Sequence, residues 1–595
     1  MELLSVENVT FRYPNAASDA LRDVSFSVSE GQWAILCGLS GCGKSTLLRL
    51  IKRELAPYGK FSGRILFRQQ AGSDSFAVLS ENVSGAPALP RVSDRESAES
   101  IGIVMQDPES QLVTDTVWHE LAFGLENLGL PSETIRRRVA EMAAFFGMES
   151  WYHRKTYELS GGQKQLLNLA STLAMNPRLL LLDEPTAQLD PIAAADFRSV
   201  LQRVNRELGV TILMAEHRLE SVLPLADRIF LMDRGAILQS GDAAGLVKYL
   251  SETSHAMTAA LPTATRVYLA LAGSPVVSGE TTPAGDAAGI PLTVRDGRAM
   301  LRSIPCPAGE KQEDGEHRIP GEETAKAFSA KESAAVLSSK NVRFRYDRNL
   351  PDVLAEASLS LRAGEHYCLL GGNGSGKTTF LAVLAGLLKP YAGAVHLFDK
   401  KMSAYAPGTL YRNNLALLPQ QPRDVFTEKT IREDLVKAFL RDAESESSNT
   451  MNALCERLGI TGILDSHPYD VSGGELQKAA LAKVLASRPK VLLLDEPTKG
   501  IDVRGKQELA DILSELTREG TAVLTVTHDA EWAAEHADRC GLLFDGQVIS
   551  EDGPAAFFDG NAYYTTAANR MTRGILPGCV TVDDILNRYR GEVPQ

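Results

Sequence analysis

The sequence predicts an α/β fold that occurs twice in one chain, and three observations support this prediction. The same ordered set of motifs is present in each half. Each set opens with a strand-like segment, a glycine-rich loop and a helix-like segment, which is the order of a phosphate-binding unit. The spacing also agrees, because 23 residues separate Ser160 from Asp183 and Ser472 from Asp495. Two matched sets predict two tandem P-loop NTPase domains, each a RecA-like mixed-sheet core with a helical subdomain.

The segments around each glycine-rich loop have the periodicity of regular structure. Strict alternation of apolar and polar residues predicts a half-buried strand, and a short apolar run bounded by turn residues predicts a buried one. On this basis we predict strands at 2–13, 33–37, 337–346 and 367–370, and helices at 45–51 and 378–388.

The glycine-rich loops have the composition of a phosphate site. Glycine lets consecutive backbone N–H groups point at phosphate oxygens, and the following helix adds the partial positive charge of its N-terminus. We expect Lys44 and Lys377 to reach the β- and γ-phosphates of ATP. The predicted ATP-binding residues of the two loops are Gly38, Ser40, Gly41, Cys42, Gly43, Lys44, Ser45 and Thr46, and Gly371, Asn373, Gly374, Ser375, Gly376, Lys377, Thr378 and Thr379.

An aspartate–glutamate pair follows four apolar residues in each half. An aspartate at the end of such a strand typically holds Mg²⁺, and the P-loop hydroxyl is a second ligand. Glu184 and Glu496 come next in the chain and are placed to polarise the attacking water. The predicted Mg²⁺ ligands are Ser45, Gln106, Asp183, Thr378, Gln420 and Asp495.

A histidine ends a strand-like run in each half, 34 residues after the aspartate in one and 33 in the other. A lone histidine in that place is usually structural, but the duplicated spacing predicts a contact with the γ-phosphate. Gln106 lies between the first P-loop and Ser160, and Gln420 lies between the second P-loop and Ser472. The predicted catalytic residues are Glu184, Glu496, His217, His528, Gln106 and Gln420.

Composition disfavours several classes of protein. The net charge of −13 argues against nucleic-acid binding, which normally depends on a basic surface. No apolar run reaches the roughly 18 residues of a membrane-spanning helix, and the first residues do not have the pattern of a signal peptide. The 7 cysteines have no spacing typical of a disulfide framework or a zinc site, so we expect a reducing cytosol.

Segments of different composition divide the chain. We predict a first ATPase domain at 1–250, its appendage at 251–304, a linker at 305–335, a second domain at 336–560 and its appendage at 561–595. The linker has little apolar content, which predicts flexibility. Residues 70–100 lengthen the first half and are rich in small residues, which predicts a surface loop.

A further motif carries a family resemblance. Its two copies are Ser160-Gly161-Gly162-Gln163 and Ser472-Gly473-Gly474-Glu475. They resemble the signature motif of ATP-binding cassette (ABC) proteins, and with the other motifs the resemblance covers both halves apart from the linker. It implies a head-to-tail arrangement in which each ATP lies between the P-loop of one half and the signature of the other. The implied pairs are Lys44 with Ser472 and Gly474, and Lys377 with Ser160 and Gly162.

The same resemblance implies roles for residues outside the main motifs. Tyr13 and Tyr346 match the aromatic residue that stacks on adenine. The D-loop aspartates, which touch across the paired halves, are Asp190 and Asp502. The second signature departs from the pattern because it ends in Glu475, so the site containing Lys44 is expected to turn over more slowly.

A narrower resemblance is to the ATPases of energy-coupling factor (ECF) transporters. It rests on segments 105–112, 122–130, 215–220 and 498–502. These ATPases power prokaryotic uptake of vitamins, their precursors or transition-metal ions. The resemblance implies a transmembrane coupling subunit and a small substrate-binding membrane subunit as partners, with the ATPase on the cytoplasmic face of the membrane. Acidic residues after each glutamine suggest a groove for basic residues of such a partner.

A second function stays open at this point. Some tandem soluble ABC ATPases act on the ribosome as translation factors and have no membrane partner. Those usually join their halves with a long charged helical arm, whereas residues 251–335 contain proline and glycine throughout. The transporter motor is therefore the leading hypothesis.

Overall fold

Two compact units form the chain, Met1–Pro262 and Thr263–Gln595. The structure is a computed structural model that describes residues 1–14, 16, 18–68, 75–83, 89–272, 289–304, 335–406, 408–439 and 447–590, with the backbone alone for 447–449. The predicted linker lies outside these residues except for Ala335. No helix in the described ranges is long and apolar enough to cross a membrane.

The first unit contains two sheets. Its strands are β1 Glu2–Arg12, β2 Leu21–Ser29, β3 Trp33–Cys37, β4 Lys60–Arg68, β5 Phe76–Asn82, β6 Ile101–Val104, β7 Leu179–Asp183, β8 Thr211–Glu216, β9 Arg228–Asp233 and β10 Ala236–Gly241. One sheet is antiparallel in the order β2-β1-β4-β5. The other has the order β10-β9-β3-β8-β7-β6 and is parallel except for β10.

The helices of the first unit cover the central sheet and form a separate lobe. They are α1 Lys44–Ile51, α2 Asp94–Ser100, α3 Val117–Asn127, α4 Ser132–Phe145, α5 Gly161–Ala174, α6 Pro191–Leu208 and α7 Ala243–Thr253. Helix α1 lies in the main core between the two sheets. Helices α3, α4 and α5 share a second core around Trp151, which is the helical subdomain that the sequence predicts.

The second unit repeats this design. Its strands are β11 Ala335–Phe344, β12 Leu354–Arg362, β13 His366–Leu370, β14 Ala392–Leu397, β15 Lys400–Lys401, β16 Leu415–Leu418, β17 Val491–Asp495, β18 Ala522–Val526, β19 Arg539–Phe544 and β20 Gln547–Asp552. The sheet orders are β12-β11-β14-β15 and β16-β17-β18-β13-β19-β20. The α/β prediction, with two mixed-sheet domains, is confirmed.

The helices of the second unit include a set that precedes its first strand. They are α8 Thr263–Ala272, α9 Val294–Ser303, α10 Lys377–Leu384, α11 Ile431–Phe439, α12 Ser447–Arg457, α13 Gly473–Leu485, α14 Val503–Arg518, α15 Ala530–His536, α16 Pro554–Gly560, α17 Ala567–Thr572 and α18 Val582–Arg590. Helix α10 ends four residues before the predicted Leu388, because Gly386 has a left-handed backbone (φ +76°) that terminates the helix.

The predicted surface loop at 70–100 is wrong for its described parts. Residues 76–82 form β5, which pairs with β4 at the edge of the antiparallel sheet. Helix α2 is docked on the rest of the unit, because the buried ammonium of Lys52 donates to the carbonyls of Ser97 and Ile101. Residues 70–74 and 84–88 lie outside the described residues.

The two predicted appendages pack against each other in the second unit. Helices α8 and α9 share one apolar core with α17 and α18, and its most buried members include Val267, Met571 and Ile585. Helices α9 and α18 also begin alike, because Thr293 with Asp296 and Thr581 with Asp584 make the same reciprocal caps. Helices α8 and α9 therefore belong to the compact unit of the second half.

Candidate active site

Each P-loop follows a fully buried parallel strand, β3 or β13, and turns into a helix. Left-handed glycines shape the turn. Gly43 has φ +106°, and a Cβ there would lie 2.6 Å from the carbonyl oxygen of Ala20. Gly376 has φ +96°, and a Cβ there would lie 2.8 Å from the carbonyl oxygen of Val353. Only glycine satisfies both the conformation and the space.

The P-loop lysines are buried and are held by their own loops. Lys44 Nζ donates to the carbonyl oxygens of Gly38 at 2.8 Å and Leu39 at 3.1 Å. Lys377 Nζ makes the equivalent bonds, to Gly371 at 2.9 Å and Gly372 at 3.0 Å. Each loop thus holds an ammonium group beside its backbone N–H groups, as a site for phosphate requires.

A hydroxyl and a carboxylate meet behind each lysine. Ser45 Oγ donates to Asp183 Oδ1 at 2.9 Å, and Thr378 bonds Asp495 in the same way. Burial raises the pKa of Asp183 to about 6, against the hydrogen bond from Ser45. Burial likewise raises the pKa of Asp495 to about 6, against the bond from Thr378.

The glutamate after Asp183 lies among positive groups. Glu184 Oε1 is 3.1 Å from His217 Nδ1, close enough for an ion pair but not aligned as a hydrogen bond, and 3.6 Å from Lys44 Nζ. Burial acts to raise the pKa of Glu184, but His217 and Lys44 outweigh it and hold the pKa at about 2. The backbone of Glu184 is left-handed, with φ +44°, and such a conformation is costly for a side-chain-bearing residue.

The second unit repeats this arrangement at Glu496, whose φ is +49°. Its Oε2 lies 2.8 Å from His528 Nδ1 and also accepts the backbone N–H of His528 at 3.3 Å. Burial acts to raise the pKa of Glu496, but the hydrogen bond from His528 and the charges of His528, Lys377 and Lys499 together outweigh it, so the pKa is lowered. In each unit the predicted glutamate and the predicted histidine are therefore in contact, a pairing that was not predicted.

The two predicted glutamines differ. Gln106 Nε2 donates to Glu184 Oε2 at 3.2 Å, so it joins the first cluster. Gln420 follows β16 in the equivalent place. Among the described residues, however, no hydrogen bond joins Gln420 to Glu496.

The two predicted adenine-stacking tyrosines lie beside the P-loop helices. The hydroxyl of Tyr13 is 3.0 Å from Thr46 Oγ1, and that of Tyr346 is 3.0 Å from Thr379 Oγ1. Tyr346 is largely exposed, at 62%. A ring fixed at one end and open to solvent offers a stacking surface.

The signature serines cap helices. Ser160 begins α5, and its Oγ accepts the N–H of Gln163 at 3.3 Å. Ser472 begins α13, and its hydroxyl donates to Glu475 Oε2 at 2.6 Å. Both glutamine and glutamate close a reciprocal cap. The next two residues of each motif, Gly161 and Gly162 or Gly473 and Gly474, lie in the first helical turn.

The D-loop aspartates also cap helices. Asp190 accepts the N–H of Ala193 at 2.8 Å at the start of α6. Asp502 accepts the N–H of Gly505 at 2.8 Å at the start of α14. This local role accounts for an aspartate at each position.

Sequence reasoning missed a buried carboxylate beside His217. Glu216 accepts the hydroxyl of Thr186 at 2.8 Å and the N–H of His217 at 3.2 Å. It therefore fixes the backbone that carries the histidine. A charged residue at the end of an apolar strand was the available signal, but the second half has Thr527 there, so the repeat did not reveal it.

The predicted acidic groove is not supported. Glu120 is buried and accepts the N–H groups of Val113 and Thr114, and Asp434 is buried against Lys483. Three other acids form ion pairs with basic residues of the same unit: Asp115 with Lys155, Glu109 with Lys164, and Glu428 with Lys437. These five acids are therefore engaged by partners within their own units.

Comparison with known proteins gives consistent results. The family model for ABC transporters matches residues 21–187 and 354–499. A Bacillus thuringiensis protein provisionally named as an ABC transporter ATP-binding protein is 37% identical over 98% of this chain and 97% of its own length. A Bacillus subtilis protein provisionally named as an HMP/thiamine import ATP-binding protein is 32% identical over 94% of this chain and 92% of its own length.

Among solved structures, cbiO1 of Clostridium perfringens, part of the ABC transporter complex cbiONQ, is 30% identical. The match covers 42% of this chain and 95% of that one, with a TM-score of 0.35.

Proposed function

The chain belongs to the ABC transporter family and is an ATPase, and from this premise we propose that it is the motor subunit of an energy-coupling factor importer. It would drive uptake of a vitamin, a vitamin precursor or a transition-metal ion. The transport path would be formed by separate subunits, a transmembrane coupling protein and a small substrate-binding membrane protein. The motor would act from the cytoplasmic face of the prokaryotic cell membrane.

The observation that carries this proposal is the match along nearly the whole chain to a relative provisionally named for HMP/thiamine import. A match over 94% of the chain includes both halves and not the ATPase motifs alone. Both halves also keep a P-loop lysine, an aspartate–glutamate pair and a histidine in contact with the glutamate. Two intact ATP sites suit a motor that hydrolyses ATP at both.

We further propose that the two halves bind two ATP molecules head-to-tail. One site would pair Lys44 with Ser472 and Gly474, and the other would pair Lys377 with Ser160 and Gly162. Each signature serine starts a helix of 13 or 14 residues. The N-terminus of such a helix favours an anion, as a γ-phosphate would be.

The residues near each P-loop lysine fit Mg²⁺. Ser45 with Asp183, and Thr378 with Asp495, bring a hydroxyl and a carboxylate together, and oxygen ligands of this kind suit Mg²⁺. We propose these four as ligands, with Gln106 and Gln420 completing the two sites. When bound, Mg²⁺ neutralises charge on the phosphate oxygens.

The glutamates are proposed to orient and polarise the attacking water. With a pKa of about 2, Glu184 is ionised at neutral pH and accepts a hydrogen bond from water. His217 and His528 would contact the γ-phosphate, since each already lies against its glutamate. The P-loop lysines and the remaining loop residues would bind the triphosphate, and the two tyrosines would stack on adenine.

The surface that we assign to the coupling subunit is apolar. In the first unit, segment 113–118 runs beside segment 152–157, joined by a bridge between Thr116 and Lys155. Its exposed apolar side chains are Val113 (65%), Trp118 (42%) and Tyr157 (72%). The neighbouring Asp115 is paired with Lys155, so an amphipathic cytoplasmic helix of the partner is the occupant we propose.

The test is affinity capture of the tagged full-length chain from detergent-solubilised native membranes, with mass spectrometry of the captured proteins. The proposal expects a polytopic membrane protein together with a small membrane subunit, whose identity would indicate the substrate. Capture of ribosomal proteins, with the chain absent from the membrane fraction, would overturn the importer in favour of a translation factor.

A matched variant tests the docking surface in the same experiment. Trp118→Glu places a charge in the apolar surface, and it should abolish capture of the membrane proteins while ATP binding is retained. Trp532→Glu would not be a suitable control for this experiment, because Trp532 is buried. Tyr58 is exposed and precedes β4 in the same unit, and Tyr58→Glu is the control that should capture the membrane proteins normally.

A further inference from the structure

A tyrosine from the tail of the second unit lies against the P-loop of that unit. A Cβ placed on Gly372, the second residue of the loop, would lie 2.9 Å from the hydroxyl oxygen of Tyr564. No other heavy atom in the described structure lies within 4 Å of that position, apart from the glycine's own chain neighbours. The phenol hydroxyl alone therefore occupies the space that a side chain at 372 would need.

The backbone of Gly372 does not itself require glycine. The left-handed glycines of this loop are Gly374, with φ +79°, and Gly376, with φ +96°. Gly372 is not one of them. The first P-loop carries Leu39 in the same place, so the loop tolerates a large side chain there. A side chain at 372 would instead meet the hydroxyl of Tyr564, which would have to move to admit it.

The position of Tyr564 is fixed by the residues that follow it. Thr565 Oγ1 donates to the carbonyl oxygen of Phe558 at 2.7 Å, and Thr566 caps α17 by accepting the N–H of Asn569 at 3.0 Å. The N–H of Ala567 donates to Glu531, on the helix that follows His528. The tyrosine therefore belongs to a rigid join between the helical appendage and the catalytic core.

The first half has no equivalent hydroxyl. Tyr564 precedes Thr566-Ala567 as Leu261 precedes Thr263-Ala264. Leu261 is buried. In sequence, the tyrosine and glycine of the second half therefore correspond to Leu261 and Leu39 of the first.

We propose that Tyr564 is a positioning residue of the second ATP site. It confines the backbone at Gly372, whose carbonyl accepts the ammonium of Lys377 at 3.0 Å, and so it sets the geometry with which Lys377 meets the phosphates. The appendage carrying Tyr564 thereby becomes sensitive to nucleotide at this site. By linkage, ATP at the second P-loop stabilises the tail and the tail strengthens ATP binding. This inference concerns the ATPase itself and does not depend on what the ATPase drives.

The test uses the full chain with Lys44→Ala, so that only the second P-loop binds ATP, and titrates a fluorescent ATP analogue. Gly372→Ala should weaken binding about tenfold, as moderate overpacking does. Adding Tyr564→Phe should restore affinity to within about twofold of Tyr564→Phe alone, because the hydroxyl that meets the new methyl is gone. In steady state, the ATP KM should follow the same pattern while kcat changes little.

Two outcomes overturn the proposal. One is that Gly372→Ala weakens binding equally with tyrosine or phenylalanine at 564, and the other is that it has no effect with tyrosine present. Tyr563→Phe is the matched control. Tyr563 is the preceding residue and is 91% exposed, so this change should not rescue Gly372→Ala. The conservative Tyr564→Phe change keeps the ring, so loss of folding does not obscure the result.

Discussion

The hydroxyl of Ser472 donates to the carboxylate of Glu475 at 2.6 Å, in addition to accepting the N–H of Glu475 as Ser160 accepts that of Gln163. The bond to Glu475 engages the hydroxyl proton that a signature serine would offer to phosphate, and the carboxylate adds a negative charge nearby. In the proposed pairing, Ser472 serves the ATP held by Lys44. That site should therefore be the slower of the two.

Glu475→Gln should accelerate the slower site. With Lys377→Ala removing the other P-loop, we expect the steady-state ATPase rate to rise about threefold to tenfold, or about 0.7–1.4 kcal/mol in barrier height. Glutamine keeps the cap, as Gln163 does for Ser160. The reverse change, Gln163→Glu in a Lys44→Ala background, should slow the other site. An unchanged rate in both backgrounds would contradict the argument.

Replacing both of the glutamates that we propose as catalytic should separate ATP binding from ATP hydrolysis. In Glu184→Gln/Glu496→Gln, we expect the single-turnover rate to fall by about 10²- to 10⁴-fold, the usual contribution of a positioned acid–base group. ATP should remain bound through gel filtration, because the lysines and loops are unchanged. Glu207→Gln, on the exposed face of α6, is the control and should behave as wild type. Loss of ATP retention in the double variant would count against the assigned roles.

Much of the site follows from the sequence because its parts end neighbouring parallel strands. Strands β3, β7 and β8 are adjacent, and Lys44, Glu184 and His217 follow their carboxyl ends. Residues at that edge of a parallel sheet meet in space. The duplicated spacing was enough to place them together, as the contacts of Glu184 show.

The features that the sequence did not reveal are those that the two halves do not share. Glu216 is replaced by Thr527 and Tyr564 by Leu261, so comparing the halves gives no signal for either. Burial was the other limit, since Glu120 and Asp434 count as surface charge in a sequence but cap loops a few residues away. Charge alone does not distinguish a carboxylate on the surface from one that caps a loop.

The packing of the appendages gives a stability prediction. Leu301 of α9 is 1% exposed in the core shared with α17 and α18, and Leu301→Ala should weaken this packing by about 2–5 kcal/mol. Hydrogen exchange in α9 and α18 should quicken, while exchange in β3 and β8 stays unchanged. Arg302→Ala, at the exposed neighbouring position, is the control. Unchanged exchange in α18 would mean that the shared core does not hold the appendages together.

The buried His366 predicts how the stability of the second unit depends on pH. Its Nδ1 lies 3.0 Å from the carbonyl oxygen of His536, which only accepts, so Nδ1 is the donor. Nε2 then accepts the hydroxyl of Thr525 at 3.0 Å in the neutral ring. Burial lowers the pKa of His366 to about 4. The folded unit therefore favours the neutral imidazole.

The sign of the effect follows from the unfolded state, where histidine titrates near about pH 6.5. Between that pH and about pH 4, the unfolded chain binds a proton that the folded unit does not, so the free energy of unfolding falls as pH falls, by at most about 1.4 kcal/mol per pH unit. The contribution is fully present above about pH 6.5. Urea unfolding across this range should show a shallower dependence in His366→Gln than in wild type. The exposed His467→Gln should keep the wild-type slope, and an equal slope in all three proteins would show that His366 is not the group responsible.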